Sequence, residues 1–433
     1  MFAAHGRLYG PNVRNFRLLA RRNFGLLWAG GLISFIGDWV LFTGMPISIY
    51  QMTGSALATT LLFAAGVVPS VLLGSIAGVY VDRWDRRRTV ILGNLLLALA
   101  LVPLVLVHDA GTIWIVYLVV FAAATIGQFV NPAVGALLPR LVDQDELVAA
   151  NSLNASSANL ARIVGPPIGG IIAAAAGIAG VALVDAVTFL APVLLVSLMR
   201  IGPSVAAAAA TVEDGVRAWR ALWRDWIAGL TVVRERRAVS VLFLLVGVAS
   251  IGEGVFRVLI ILYVVQLLHG GASELGLLMS MQGVGSVIGS LALVAISARI
   301  APAPLIAWTA LSFGAIDLVI FNAPGLGATF AVVAALFLLV GLPGAMTFPT
   351  MFGVIQASVP DAYRGRVLGA MGTTAALLGL VGLAIGGSLA TPLGTVTVLN
   401  VQGLAYAVAG AAMFVLLPRA MERDRREPIP IAG

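Results

Sequence analysis

The chain alternates between long apolar stretches and short polar connections. Stretches near the ~20 residues that cross a bilayer occur at twelve places. They cover 24–50, 55–81, 89–108, 113–137, 152–176, 179–200, 239–267, 274–298, 303–321, 326–350, 367–390 and 397–417. Because lipid offers the backbone no hydrogen-bond partners, continuous runs of this length are predicted to be helices. The pattern therefore predicts an all-α polytopic membrane protein with twelve transmembrane helices.

The only long connection, 201–238, separates the sixth run from the seventh. Apolar side chains recur there at helical spacing, and arginines lie between them. The apolar set is Trp219, Leu222, Trp226, Leu230 and Val233, and the basic set is Arg217, Arg220, Arg224 and Arg234. Tryptophan on one face and arginine on the other is typical of a helix in the membrane interface. We expect a tether between two helical bundles, with a regulatory role as the alternative.

These boundaries divide the chain into five parts. We predict an N-terminal segment over 1–22, a six-helix bundle over 23–200, the linker over 201–238, a second six-helix bundle over 239–417 and a tail over 418–433. The first apolar run has full spanning length, and no small-residue cleavage pattern follows it. We therefore expect it to remain as a helix rather than to be removed as a signal peptide.

The composition excludes several classes of protein. Of the 433 residues, 60% are hydrophobic and 10% are charged, against roughly 25% charged in soluble domains. The chain has neither cysteine nor lysine, which excludes disulfides, thiolate metal sites and a P-loop with its lysine. His5, His108 and His269 lie at or beyond the ends of apolar runs. We expect no metal, no cofactor and no enzymatic activity.

The net charge of +7 could suggest a nucleic-acid partner, but the arginines are distributed as in a membrane protein. If the loops alternate between two sides, all 26 arginines except Arg162 and Arg257 lie on the side of the N-terminus. An excess of arginine in short loops marks the cytoplasmic side. We therefore predict a cell-membrane protein with both termini and the 201–238 linker in the cytoplasm, and with no nucleic-acid partner.

The two halves of the chain resemble each other at an offset of 215 to 217 residues. Arg21, Arg22, Ile36, Gly37 and Asp38 align with Arg236, Arg237, Ile251, Gly252 and Glu253, Pro132 aligns with Pro349, and Gly165, Gly169 and Gly170 align with Gly382, Gly386 and Gly387. Six plus six helices in the same orientation form a parallel repeat about an axis along the membrane normal. Such a repeat predicts a substrate site between two pseudo-symmetric bundles, near the midplane.

The connection after the second run reads GVYVDRWDRRR and resembles the signature loop of the major facilitator superfamily. The matching positions are Gly78, Asp82, Arg83, Arg86 and Arg87. The glycine allows close packing, and the arginines hold the loop at an anionic lipid surface. Asp85 stands where the family usually has a second glycine, so we expect a different turn. A simple basic stop-transfer loop is the alternative.

The fifth run contains ARIVGPPIGG, which resembles the antiporter motif of the same superfamily. Its core is Gly165, Pro166, Gly169 and Gly170. Glycines at i, i+4 and i+5 flatten one helix face, and we expect this face to pack closely against a neighbouring helix and to restrict leak. A kink without functional role is the alternative.

Further stretches resemble the macrolide-efflux and enterobactin-exporter branch of the superfamily. They are SFIGDW, NPAVGALLPRLV, ELVAANSLN, VDAVTF and YRGRVLG. The resemblance implies an exporter of amphipathic small molecules, commonly proton-coupled, that works by alternating access, and we expect a monomer. A dedicated exporter of one metabolite, such as a siderophore or lysolipid, is one alternative, and a non-transporting sensor is another. The arginine that many relatives carry in the fourth helix is absent, since that run has only Gln128 and Asn131.

Six charged residues lie inside apolar runs, where each is costly unless it is paired or faces water. They are Asp38, Arg162, Asp185, Glu253, Arg257 and Asp317. Asp38 and Glu253 occupy equivalent positions midway along two helices, so we hypothesise that they form the coupling site. Glu253 and Arg257 are four residues apart, a favourable spacing for an ion pair. Asp38 is the candidate proton carrier, and Glu253 is the candidate ligand for a cationic substrate group; purely structural roles are the alternative.

The remaining three charged residues are expected to serve the structure. Asp185 and Asp317 are placed by the sequence towards the outer ends of their helices. Arg162 precedes Pro166 and Pro167 and is expected to bond the carbonyl groups that these prolines leave free.

The orientation can be tested with a single cysteine, because the chain contains none. We expect Ser204→Cys to react with a membrane-impermeant maleimide only after the cells are permeabilised. Labelling in intact cells would contradict a cytoplasmic linker.

Overall fold

The computed structural model describes residues 17–81, 83–200, 212–297 and 299–426, and this part of the chain is helical without strands. The long helices are α1 (Arg22–Thr53), α2 (Ala56–Val81), α3 (Arg86–Leu101), α4 (Trp114–Leu137), α5 (Leu147–Ser197), α6 (Val212–Glu235), α7 (Arg237–Leu262), α8 (Ala272–Ile296), α9 (Pro302–Asn322), α10 (Phe330–Ser358), α11 (Asp361–Leu393) and α12 (Thr395–Arg426). α6 is the linker helix.

Helix α5 crosses the membrane twice. With its leading 3-10 turn it spans 54 residues, about 80 Å at 1.5 Å per residue, against a hydrocarbon core of ~30 Å. The helix is broken at Gly177, whose φ of 60° and ψ of −155° are not helical. The described helices therefore make twelve crossings. The break lies between the two apolar runs expected at 152–176 and 179–200.

Several helices end elsewhere than the apolar runs do. α3 ends at Leu101 and continues as a 3-10 turn over Val102–Leu106, because Pro103 cannot donate to the α-helical ladder. α12 extends to Arg426, beyond the apolar run that ends at 417. Its last turns carry Arg426 paired with Glu422, so polarity does not stop the helix there.

The two bundles repeat the same contacts. Gly165 and Gly169 pack against Ile36 and Val40 of α1, and their equivalents Gly382 and Gly386 pack against Ile251 and Val255 of α7. A third glycine of each set crosses to the other bundle: Gly170 lies against the backbone of α8 at Ala272, and Gly387 lies against Thr60 of α2. The aligned glycines of the sequence are therefore equivalent contact points, and the pseudo-symmetric arrangement of two bundles is confirmed.

The arginine-rich helix ends are held together by side chains from different helices. Arg21, before α1, binds Glu146, before α5, with nitrogen–oxygen distances of 2.5 and 2.7 Å. Asn23 and Arg200 exchange hydrogen bonds of 3.1 and 3.0 Å between side-chain and backbone atoms. These contacts place the starts of α1 and α5 at the same end of the bundle as the end of α5. We call it the arginine-rich end and the other the arginine-poor end.

The linker helix α6 packs against α2 of one bundle and α11 of the other. The indole nitrogen of Trp226 donates to the Thr374 hydroxyl of α11 at 3.2 Å, and Gly229 packs against the α11 backbone at Arg366. Trp226 therefore faces protein rather than lipid, which differs from the interfacial orientation expected from the sequence. The side chains of Trp219 and Leu222 lie outside the described part.

The two bundles touch mainly at the arginine-poor end. There, the amide nitrogen of Gln266, in a π-helical turn that follows α7, donates to the Tyr50 hydroxyl of α1 at 2.7 Å. The Thr395 hydroxyl of α12 donates to the amide oxygen of Gln266 at 3.1 Å. In the same half, the Ser280 hydroxyl of α8 donates to the Ile163 carbonyl of α5 at 2.6 Å. These contacts close the space between the bundles at this end.

The break in α5 gives a stability prediction. Gly177→Ala forces a side chain into a backbone conformation with positive φ and is expected to cost on the order of 1–3 kcal/mol. Gly135→Ala is the matched control, because neither glycine has a neighbour that an added Cβ would meet and only Gly177 has a positive φ. Thermal unfolding in detergent measures both, and equal melting temperatures would contradict a conformational requirement at Gly177.

The closed end gives a second prediction. Tyr50→Phe removes the acceptor of Gln266, and a lost hydrogen bond of this kind costs about 0.5–1.5 kcal/mol. We expect a cysteine at Thr60, buried in this interface, to react several-fold faster with maleimide as the closed end opens more often. Tyr117→Phe is the control, since its hydroxyl donates to the Ala58 carbonyl within one bundle at 3.1 Å. Equal rates in both variants would show that the cross-bundle bond does not hold the closure.

Candidate functional site: the central cavity and its intramembrane charges

A cavity of about 1240 Å³ lies between the two bundles. We call it the central cavity. Its wall is formed by α5, α7, α8, α10 and α11, with one residue each from α2 and α12 and two from α9. The bundles close it at the arginine-poor end, while Ser156 and Asn159, near the arginine-rich start of α5, still line it. The cavity is therefore open towards the arginine-rich end.

The central cavity contains three charged side chains, which are Arg162, Glu253 and Arg257. Arg257 Nε lies 3.2 Å from Glu253 Oε1, and both side chains keep access to solvent, at 38% and 56% exposure. The two residues are one helical turn apart on α7, which explains why sequence spacing alone indicated the pair. The Arg257 guanidinium also lies 6.0 Å from the ring centre of Phe42 in α1, one turn from Asp38.

Asp38 and Asp185 lie together, although the sequence placed Asp185 near an outer helix end. Gly37, the residue before Asp38, packs directly against the Asp185 carboxylate and the Thr188 hydroxyl. Asp185 therefore lies at the depth of the middle of α1, and its charge interacts with that of Asp38. Asp185 is fully buried, whereas Asp38 is exposed on a cavity wall.

Asp185 is only partly satisfied by hydrogen bonds. The Thr188 hydroxyl donates to its Oδ1 at 3.1 Å, whereas Oδ2 has no hydrogen-bond partner in the part of the chain that the structure describes. Thr188 was not singled out in the sequence. The repeat relates the neighbours of Gly37 to those of Gly252, its equivalent in the second half. An offset of 217 aligns Asp185, which packs against Gly37, with Gln402, which packs against Gly252.

Asp317 holds a comparable place in the second bundle. It is 3% exposed and lies close enough to Glu253 for the two carboxylates to interact. Tyr406 of α12 lies near both acids, and its hydroxyl donates to the Ala249 carbonyl at 2.9 Å. Within the described residues, Asp317 Oδ2 has no hydrogen-bond partner. Each bundle thus combines one cavity-exposed acid with one buried acid.

Arg162 does not take the role expected from the sequence. Its guanidinium lies 5.8 Å from the ring centre of Trp39 in α1, and within the described part it donates no hydrogen bond to the carbonyls before Pro166 and Pro167. The side chain lines the central cavity instead. A cation over an indole face is stabilised by the ring quadrupole, which keeps this charge beside the cavity.

The antiporter-like motif forms the contact surface of α5 with two helices. Gly165 and Gly169 approach α1, and Gly170 approaches α8 so closely that an added Cβ would lie 2.9 Å from the carbonyl carbon of Ala272. On the α8 side, Gly276 packs against the Pro166 carbonyl. The motif is therefore located where the two bundles close.

The signature-like loop joins three helices at the arginine-rich end. Arg86 donates to the Ala136 carbonyl at 3.3 Å, and Arg87 donates to the carbonyls of Val196 and Ser197 at 3.1 and 2.5 Å. The Asp85 carboxylate accepts from the Arg88 amide at 2.8 Å and caps α3, so the residue that departs from the family pattern has a local role.

The other described residues of the signature-like loop and of the fourth apolar run lie away from the charged groups of the central cavity. Gly78 belongs to α2, Arg83 follows it, and Asp82 lies outside the described residues. In α4, Gln128 donates to the Ala124 carbonyl at 3.3 Å, and Asn131 lines a second cavity.

Several similar proteins are named as efflux pumps or exporters. The chain is 28% identical over 414 residues to the multidrug efflux pump Tap of Mycolicibacterium fortuitum, covering 93% of this chain and 96% of that protein. It is 24% identical over 418 residues to the enterobactin exporter EntS of Citrobacter koseri, covering 94% of each. Macrolide efflux protein A of Streptococcus pyogenes matches at 24% identity, over 51% of this chain and 53% of that protein.

Solved structures share the fold at low sequence identity. A POT family transporter superposes with a TM-score of 0.73 at 14% identity, covering 92% of this chain and 96% of that one. A bacterial homologue of the iron transporter ferroportin, in an inward-facing state, superposes with a TM-score of 0.70 at 17% identity, over 91% and 99% of the chains. These likenesses show the fold alone.

Residues 14–430 match the family described as transmembrane secretion effector. This family and the named relatives consist of transporters of the major facilitator type rather than enzymes. The match covers nearly the whole chain and includes both bundles and the linker helix. The chain therefore belongs to the transmembrane secretion effector family of major facilitator efflux transporters.

Proposed function

We propose that this protein exports amphipathic small molecules across the cell membrane by alternating access, driven by inward movement of protons. The observation that carries the proposal is the central cavity, which the bundles close at the arginine-poor end and which bears the ionisable groups Glu253 and Arg257 of the spanning helix α7. Such a site is reached from one side at a time, and a carboxylate in it, or in the second cavity that adjoins it at Val67 and Arg257, can exchange a proton for substrate. Substrate, protons and lipid are its partners, and the protein acts as a monomer.

The arginine-rich end is assigned to the cytoplasm. The asymmetry of arginine between the two ends supports this orientation, which places both termini and the linker in the cytoplasm. The central cavity then opens to the cytoplasm, the side on which an exporter loads its substrate. Release requires the glycine contacts between α5 and α8, and between α11 and α2, to part.

The wall of the central cavity suits an amphipathic substrate. Apolar and aromatic side chains such as Phe313 and Phe348 lie beside the Arg162, Glu253 and Arg257 charges. Apolar contact with few placed polar groups is typical of small-molecule sites. A dedicated exporter of an anionic metabolite such as a siderophore is the second candidate, because two of the three charges are positive and one relative exports enterobactin.

The two exposed acids are assigned different roles. In the described part of the chain Asp38 has no arginine in salt-bridge contact, whereas Glu253 is bound by Arg257. We assign proton transfer to Asp38, whose charge is not balanced by a bound cation. Glu253 is assigned the contact with a positively charged substrate group, for which Arg257 must first move aside.

The two family-like motifs are assigned to the conformational cycle. The glycine face around Gly165 and Gly170 seals the outer side of the cavity against leak. Asp82 and Arg83 are assigned the stabilisation of one conformation at the cytoplasmic end. Arg86 and Arg87, which follow them in the sequence, join α3 to α4 and α5.

Reconstitution of Asp38→Asn into liposomes tests the coupling role. We expect the variant to build no substrate gradient under an imposed pH difference, because it cannot carry a proton. We also expect it to exchange substrate held in the central cavity at near the wild-type rate. Both are measured as uptake of labelled substrate, with and without a pH gradient.

Asp109→Asn is the matched control, because Asp109 is an exposed acid before α4, where it caps a 3-10 turn. This variant should keep gradient-driven uptake. Accumulation by Asp38→Asn at the wild-type level would refute the coupling role, and loss of exchange together with uptake would assign Asp38 to substrate binding or folding.

A further inference from the structure

Helix α7 reaches the arginine-poor end in a turn that is not α-helical. Tyr263–Leu267 form a π-helical turn, in which the backbone N–H of Leu268 donates to the Tyr263 carbonyl, five residues back, at 3.2 Å. His269 follows with a φ of 49°, and it is the one non-glycine residue with positive φ in the described part of the chain. Left-handed backbone is unfavourable for a residue with a side chain, and π-helical turns within α-helices occur frequently at functional sites.

The equivalent end of α1 shows a relaxed form of the same segment. α1 remains α-helical to Thr53, and Gly54 takes the left-handed conformation with a φ of 63° before α2 begins at Ala56. An offset of 216 residues aligns Gly54 with Gly270, and Ala56 with Ala272, the first residue of α8. The second half therefore has the residues for the same ending, with glycine rather than histidine at the left-handed position, where glycine meets no steric penalty.

The two endings place Gln266 differently. A π turn contains one residue more than an α turn, so its conversion to α-helix rotates the residues at its end by up to about 100° and lengthens the helix by about 1.5 Å. In the π-helical form Gln266 bonds Tyr50 of α1 and Thr395 of α12. The rotation carries its amide away from both. Val265, the preceding residue, has no hydrogen-bonding side chain to take its place.

The connection after the π-helical turn leads directly to a second contact between the bundles. α8 begins at Ala272, whose backbone packs against Gly170 of α5. On the other side of the turn, the buried Tyr263 hydroxyl donates to the Ile320 carbonyl of α9 at 2.6 Å, which fixes the start of the turn to its own bundle. A change of helical form between these two points therefore alters both cross-bundle contacts together.

We propose that the end of α7 is a register switch for the closure at the arginine-poor end. The π-helical form, with His269 left-handed, holds this end closed, and the α-helical form, with Gly270 left-handed, releases Gln266 and opens it. Strain at His269 offsets part of the stability that the Gln266 bonds give to the closed form. The switch rests on the proposed alternating access for its role in transport. It belongs to the second bundle alone, because the equivalent turn of α1 is already α-helical.

Two substitutions at His269 act in opposite directions and test the register switch. Glycine adopts a positive φ freely, whereas a β-branched residue is disfavoured there. The readout is the rate at which a maleimide added outside labels a cysteine introduced at Thr60, which is buried between α2 and α11. We expect labelling about fivefold slower with His269→Gly, because the closed form loses its strain, and several-fold faster with His269→Val.

Leu326→Gly and Leu326→Val are the matched controls. Leu326 is an exposed residue between α9 and α10 at the same end of the protein, and its φ is not positive. Both controls should label at near the rate of the Thr60→Cys background. Equal rates in the two His269 variants, or faster labelling in both, would overturn the switch. If size exclusion shows that the valine variant is misfolded, His269→Gly decides alone, because general damage does not slow labelling.

The labelled protein provides a direct structural check. A bulky maleimide adduct on the Thr60→Cys variant does not fit between α2 and α11, so it holds the arginine-poor end open for cryo-electron microscopy. We expect α-helix over 263–267 and a positive φ at Gly270 instead of His269. An open structure that keeps the π-helical turn would refute the switch. Because neither measurement uses substrate or a proton gradient, failure here is distinct from failure of proton-driven export.

Discussion

The structure depends on backbone-to-backbone packing through glycine. Gly165, Gly169 and Gly170 let α5 approach α1 and α8, and their equivalents let α11 approach α7 and α2. In a membrane, helices gain little from the hydrophobic effect and associate through close packing. The same faces therefore hold each bundle together and close the two bundles against each other at one end. The central cavity is the space that remains where these faces no longer meet.

Charge is distributed around this space by the same repeat, but unequally. Asp38 and Glu253 are equivalent in sequence, and each has a buried acid behind it, Asp185 or Asp317. Only Glu253 has an arginine in its own helix to bind it. The two halves differ one turn after the exposed acid, where the second has Arg257 and the first has Phe42. The two bundles therefore have similar packing but different electrostatic environments on either side of Arg257.

The sequence was sufficient for features that depend on one helix. Run lengths predicted the twelve crossings, the short gap after 176 marked the break at Gly177, and a spacing of four residues predicted the Glu253–Arg257 pair. Contacts between helices were harder, because the rotation of a helix about its axis is set by its neighbours. For this reason Arg162 was expected to bond carbonyls rather than stack on Trp39. Asp185 was placed at an outer end because its position within an apolar run does not show which part of a neighbouring helix it packs against.

The hydrogen bond between Gln266 and Tyr50 joins two residues that are 216 positions apart, which is the offset of the repeat. A residue that lies on the pseudo-symmetry axis faces its equivalent in the other half. Two identical residues there could also pair, but neither would be committed to donate. Because the halves differ at this position, Gln266 supplies a fixed donor and Tyr50 a fixed acceptor, and the contact has a defined direction across the axis.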